Sequence, residues 1–136
     1  MVKAFGYGSE PVEIAKKLEE NKVDYLAVAY SNEGVELRKS GITSPILVLH
    51  PQRDDFDDII KYKLEPSIYS FRVLDAFIER SKNEKEYPFH LKFNTGLNRL
   101  GFSFKDIEKI HTKVTSSSSI KIKYIFSHLG ASEDLN

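Results

Sequence analysis

Short apolar runs alternate along this chain with longer stretches in which apolar residues recur every three or four positions, a pattern that predicts strands followed by helices. The strand-like runs are Val2 to Phe5, Tyr25 to Ala29, Ile46 to Leu49, Pro66 to Tyr69, Phe89 to Asn94 and Ile120 to Phe126. The stretches between them carry their own punctuation. Ser9 can cap a helix with Val12, Ile14, Ala15 and Leu18 on one side, and Ser31 can cap the next, which stops at Gly41. Asp54 or Asp55 can open a short helix through Ile59 and Ile60. Ser70 can open one carrying Val73, Leu74, Phe77 and Ile78, and Ser103 a last one whose inner face is Ile107, Ile110 and Val114. Strands joined through helices imply right-handed crossovers and a parallel sheet with helices outside it, an α/β fold.

About six such units suit either a doubly wound sheet or a barrel, and they fall short of the eight strands that close a barrel. The chain begins inside its first strand and stops at Asn136, soon after the sixth, with no following helix. A bare parallel edge invites association or unfolding, so the expectation is a domain incomplete at both ends. The serine run Ser116 to Ser119 is too short for a linker and is expected to be a loop on the N-terminal side of the sheet.

A length of 136 residues with 40% hydrophobic side chains is enough for a packed core. The 20 basic and 20 acidic side chains cancel and are scattered, which gives no electrostatic case for nucleic acid or an anionic membrane as partner. No apolar run has the length of a membrane span and the N-terminus lacks the design of a secretory signal, so a cytoplasmic protein is expected. Without cysteine there are no disulfides and no thiolate chemistry. The four histidines, His50, His90, His111 and His128, never fall at metal-ligand spacing, and no metal site is expected.

The candidate chemistry lies at the strand ends, where parallel α/β folds gather their ligands. Lys3, between Val2 and Ala4, would be desolvated in a buried strand and pushed toward the neutral amine, a nucleophile for aldehydes. The competing reading is an ordinary solvated strand end. Gly6-Tyr7-Gly8-Ser9 then leads into a helix-like run from Pro11, putting backbone N–H groups and a phenol where a phosphate can sit. An amine for an aldehyde next to a phosphate cradle suggests pyridoxal phosphate. In the fifth strand, a period of two puts His90, Lys92 and Asn94 on one face and Leu91 and Phe93 on the other. The loop after it holds Arg99 between Gly96 and Gly101, a setting that can aim a guanidinium at a carboxylate or a phenolate. His128 ends the sixth strand, as a site residue or as a satisfied structural histidine.

These residues resemble the alanine racemases. The resemblance is carried by Val2-Lys3-Ala4-Phe5-Gly6-Tyr7-Gly8, by Asp24 to Ala29, and by Glu33 through Ile42 with its Leu37-Arg38-Lys39-Ser40-Gly41 core. It continues through Pro45 to Leu49, Lys92 to Phe102 and Phe126-Ser127-His128-Leu129, in order and over nearly the whole chain. The Ala4-Phe5-Gly6 variant is most similar to the racemase portion of bacterial proteins in which an alanine racemase is fused to a ligase of cell-wall precursor synthesis. The resemblance implies a partial TIM (β/α)8 barrel over residues 1–136, of the fold type III pyridoxal-phosphate class, and a homodimeric parent enzyme. That parent would interconvert L- and D-alanine for peptidoglycan.

By the same resemblance, Lys3 holds the cofactor as a Schiff base and is one of two catalytic bases, and Tyr7 is a phosphate ligand. Leu49 packs near the pyridine ring, and His128 stands beside it. Arg99 bonds the cofactor's phenolic oxygen and orients the substrate carboxylate. Lys92 matches a lysine often carbamylated to fix that arginine. Two positions depart from the family: Asn94 stands where it usually has aspartate, and Leu97 where it has methionine. The family's opposing catalytic tyrosine and the arginine facing the pyridine nitrogen come from later regions. Loss of one of two acid/base groups costs on the order of a hundredfold to ten-thousandfold, so this chain by itself is expected to be inactive.

Two other functions compete. A non-catalytic pyridoxal-phosphate barrel would keep Lys3 and Tyr7 but have no use for Arg99 and Lys92 together. A doubly wound nucleotide-binding module would use Gly6-Tyr7-Gly8-Ser9 as its phosphate loop, but the third glycine of the fingerprint is missing, and so is an acidic residue at the end of the second strand.

Overall fold

The computed structural model describes residues 1–130. The expectation that no helix follows the last strand concerns 131–136 and lies outside the described residues. The chain divides into two compact units, Met1–Ser67 and Ile68–Asn136.

The first unit runs α1 (Lys3–Gly8), α2 (Pro11–Glu20), β1 (Leu26–Val28), α3 (Ser31–Lys39), β2 (Ile46–Val48), a 3-10 turn (Arg53–Asp55), α4 (Phe56–Lys61) and β3 (Glu65–Ile68), whose last residue opens the second unit. The three strands are parallel, with Leu26 beside Ile46, Val28 beside Val48, and Leu47 beside Glu65. Their core is Leu26, Val28, Leu37, Ile46, Val48, Phe56, Ile59 and Leu64, all essentially inaccessible. Burying a Leu, Ile or Phe side chain stabilises by about 1.5–3 kcal/mol, so this cluster is the main support of the unit.

Two polar clamps close its loops. The Arg38 guanidinium donates to the carbonyls of Ile42, Ser44, Tyr62 and Lys63 at 2.7–3.2 Å. One oxygen of Glu19 accepts from the backbone N–H and the hydroxyl of both Thr43 and Ser44 at 2.6–2.9 Å. These bonds, led by those from Ser44, hold the carboxyl down at about 2.

The predicted first strand does not form. Only the Val2 N–H makes a ladder bond, to Ala27 O at 2.8 Å. From Lys3 the backbone winds into α1, with left-handed φ at Ala4 (+52°), Gly6 (+58°), Tyr7 (+58°) and Gly8 (+94°). Extending two glycines costs more entropy than extending any other residue, and β1 is the only neighbour among the described residues to repay it. The caps also shift by a residue: Glu10 precedes α2 and Tyr30 precedes α3, so neither Ser9 nor Ser31 is the capping residue. Pro11 opens α2 because its fixed φ suits a first helical position.

The second unit holds α5 (Phe71–Arg80), β4 (Tyr87–Phe93), a 3-10 turn (Phe104–Asp106), α6 (Ile107–Thr115) and β5 (Ile120–Ser127). Ser70 caps α5 as predicted, accepting from the Val73 N–H. Ser103 starts the last helical segment, its N–H and hydroxyl both donating to Asp106. The serine run lies at the N-terminal side of β4, where Glu86 and Tyr87 donate to Ser118 and Ser119. β4 and β5 pair in parallel with a shift between Phe89 and His90, where the register passes from Ile122 directly to Tyr124. That bulge re-aims the second half of β5, so that Tyr124 faces His90 and Phe126 faces Lys92.

Candidate active site

In the first unit the predicted site residues collect at the C-terminal side of β1 and β2. The Val2 bond to Ala27 sets Lys3 beside the end of β1, and Leu49 follows β2 directly, its N–H donating to Val28 O at 3.0 Å. Lys3 is half-buried in a turn, so the expected fully desolvated strand lysine is not what the fold builds. Tyr7 sits between Gly6 and Gly8 and is 66% exposed.

Glu33, which the sequence reading passed over as part of a motif, anchors this corner. One of its oxygens accepts the Ala4 N–H at 2.8 Å, and the other accepts those of Ala29 and Tyr30 at 2.7 and 3.0 Å. It stands three residues after the helix cap, the place of a capping-box glutamate, but a tyrosine at the cap hides the usual signature. Beside it a cleft of about 390 Å³ is lined by Val2, Ala4, Pro11, Tyr30 and Glu33 among others. Glu65 was also missed, because the predicted strand began one residue late. It is buried and accepts from the Tyr25 hydroxyl at 2.9 Å.

In the second unit the predicted polar face of β4 holds for His90, 4% exposed, and Lys92, 5% exposed, whereas Asn94 lies beyond the strand's end at Phe93 and is only half-buried. The His90 ring lies 5.4 Å from that of Tyr124, and Lys92 Nζ lies 5.9 Å over the Phe126 ring. Burial, and then the Arg99 guanidinium, hold the Lys92 ammonium below its ordinary 10.5. Arg99 itself is exposed, and no carboxylate pairs with it among the described residues. A guanidinium in that state is an open site for an anion.

The loop carrying Arg99 is closed at its stem by Asn94 N–H to Phe102 O and Phe102 N–H to Lys92 O, both 2.9 Å. Phe102 is buried against Phe71, with ring centroids 5.1 Å apart. The Thr95 and Ser127 hydroxyls bond each other, tying the loop to the end of β5. His128 is exposed and directly follows Ser127, the residue tied to the loop. This unit therefore brings Lys92, Arg99 and His128 to the C-terminal ends of its two strands.

Parallel strands with cationic and hydrogen-bonding side chains at their C-terminal ends define an α/β domain of the class that gathers its functional residues there. More particularly, the chain belongs to the alanine racemase family: the family model described as alanine racemase, N-terminal domain, matches residues 1–136. An alanine racemase of Rickettsia typhi is 39% identical over 99% of this chain and 34% of its own length. Alanine racemase 1 of Clostridium acetobutylicum is 36% identical over the whole chain and 36% of its own length. Among solved structures, the alanine racemase of Clostridium difficile 630 in complex with cycloserine superposes with a TM-score of 0.87 at 38% identity. That match covers 94% of this chain and 36% of that one. The chain thus spans about a third of the length of the relatives it matches. The likeness shows the fold, α/β with the five parallel strands of a partial barrel.

Among the described residues no helix is long and apolar enough to cross a membrane, and no cluster of three or more His, Asp or Glu could hold a metal ion.

Proposed function

We propose that this chain supplies the pyridoxal-phosphate-binding part of a cytoplasmic enzyme that interconverts L- and D-alanine for peptidoglycan, acting as a homodimer in its full-length form. The observation that carries the reading is the second unit's pairing of a buried Lys92 with an exposed, carboxylate-free Arg99 at the end of β4. A barrel that merely stored the cofactor would need neither.

The donor set fits the cofactor. Lys3 offers a primary amine for the aldehyde, and Tyr7 with the N–H groups of its glycine turn offers donors for the phosphate. Leu49 supplies apolar contact, and Arg99 and His128 supply donors for ring oxygens and a carboxylate. Held by these groups, pyridoxal phosphate would acidify the α-hydrogen of an amino acid by accepting the electron pair left behind. The Lys3 amine then takes that proton from one face of Cα, or returns it. Arg99 holds the substrate carboxylate and, as a permanent cation, cannot itself compete for the proton. Lys92, if carbamylated as the resemblance implies, would present an anion to Arg99 from β4 and hold it there.

The test gives the full-length protein, in which both acid/base groups are present, pyridoxal phosphate and L- or D-alanine in D2O and follows deuterium at Cα by NMR, with Lys3→Ala as control. Wash-in that disappears in the variant supports the reading. Cofactor uptake with no wash-in from either enantiomer supports the storage barrel instead.

A further inference from the structure

We propose that Asn94 is the positioning residue for Arg99, closing the loop between them from the inside with an uncharged amide. The inference deepens the reading above and rests on it for the use to which Arg99 is put.

The side chain of Asn94 uses both ends of its amide. Its Oδ1 accepts the N–H groups of Gly96 at 3.2 Å and Asn98 at 3.0 Å, and its Nδ2 donates to Asn98 Oδ1 at 2.8 Å. The backbone of the same residue holds the stem, donating to Phe102 O. One residue thus fixes both the base of the loop and its far side. Asn98, the residue gripped twice, has φ +54°, a left-handed conformation that asparagine tolerates better than most residues. Arg99 is the next residue, so the direction in which its side chain leaves the loop is set by the conformation Asn94 selects at Asn98. Gly101 completes the closure on the other side. Its φ is +138°, and it packs so closely on Phe93 and Asn94 that an added Cβ would lie 2.5 Å from their backbone.

The neutrality of the amide matters as much as its bonds. Asn94 lies just past the end of β4, two residues after Lys92 and in the same loop as Arg99. An aspartate could still accept the two N–H groups, but it would place a negative charge inside the loop that carries the guanidinium and lower its pull on an external anion. An amide clamps the loop and leaves Arg99 for an external anion.

The experiment needs no cofactor. Hydrogen exchange of the Gly96 and Asn98 amides, the Arg99 Nε–H resonance and the rate of tryptic cleavage between Arg99 and Leu100 are measured in the folded chain. Asn94→Ala loses three hydrogen bonds at an exposed site. It is expected to reduce amide protection and raise cleavage on the order of tenfold to a hundredfold, with the global melting temperature little changed. Asn94→Asp is the conservative rescue. It should restore amide protection while moving the Arg99 Nε–H resonance, as a charge introduced into the same loop does. Should Asn94→Ala fail to fold, Asn98→Ala must loosen the loop in the same direction and Asn98→Gly must recover it, since glycine regains the left-handed φ. Unchanged protection and cleavage in the folded Asn94→Ala chain, or in Asn98→Ala where that one does not fold, overturns the proposal. Failure of the racemase reading would show instead as absent α-deuterium wash-in, with the loop results intact.

Discussion

Two glycine-flanked turns carry the side chains proposed to meet the cofactor and the anion, and they are built differently. The turn of α1, with Lys3 and Tyr7, is held by one ladder bond from Val2 and by the Glu33 carboxylate. The loop from Asn94 to Phe102, with Arg99, has a two-bond backbone stem, an internal amide clamp, a buried phenylalanine and a hydroxyl tie to β5. The first is a flexible mount and the second a rigid one. The contrast matches the work proposed for each: Lys3 must form a bond and move protons, whereas Arg99 only has to point at an anion.

The sharpest way to break the rigid mount is Gly101→Ala. The added methyl meets backbone atoms at 2.5 Å in a left-handed conformation, and neither can yield cheaply. We expect a loss of more than about 3 kcal/mol, read as a large drop in urea midpoint, with unfolding of the second unit as the extreme case. The corresponding change at the flexible mount is Glu33→Ala, which orphans three backbone N–H groups, two of them solvent-accessible. A loss of about 1–2 kcal/mol is expected, together with faster exchange at Ala4. A larger cost than that of Gly101→Ala would reverse the ranking of the two mounts.

Lys92→Met sharpens the comparison from the opposite direction. A buried ammonium beside a guanidinium is a stability cost kept for function, so the apolar replacement should stabilise by about 1 kcal/mol at neutral pH. Because burial and Arg99 hold the folded-state value below 10.5, the unfolded chain binds this proton more readily. The penalty is therefore present in full below the folded-state value and fades as the pH rises toward 10.5. The gain from Lys92→Met should shrink over that range in urea melts run at rising pH. The smallest effect is expected at Tyr7→Phe. The ring is mostly exposed, and stability should change by less than about 0.5 kcal/mol while phosphate-dependent cofactor retention weakens.

The same two turns show what can be read from the residues and what cannot. The strands from Leu26 onward were legible because their apolar runs are dense and each is bounded by a helix with its own punctuation. The His90 and Lys92 face of β4 followed from a period of two. Val2 to Phe5 misled because a tetrapeptide with three apolar residues looks like a strand whether or not partners flank it, and pairing is a property of the sheet rather than of the segment. Glu33 and Asn98 were silent for a related reason. A glutamate after a tyrosine cap and an asparagine in an Asn-Arg pair carry no pattern of their own, and their roles emerge only from which backbone atoms the fold brings within reach. The bulge at Lys123 likewise reverses the facing of Tyr124 and Phe126, which a strict alternation along β5 misassigns.

The central claim is that Lys3, despite its lightly held turn, is the amine that takes the cofactor. Incubation of the protein with pyridoxal phosphate, reduction with borohydride and peptide mass mapping tests it directly. The account predicts pyridoxyl modification concentrated on Lys3 and lost in Lys3→Ala; labelling spread over many lysines, or concentrated on another one, would contradict it.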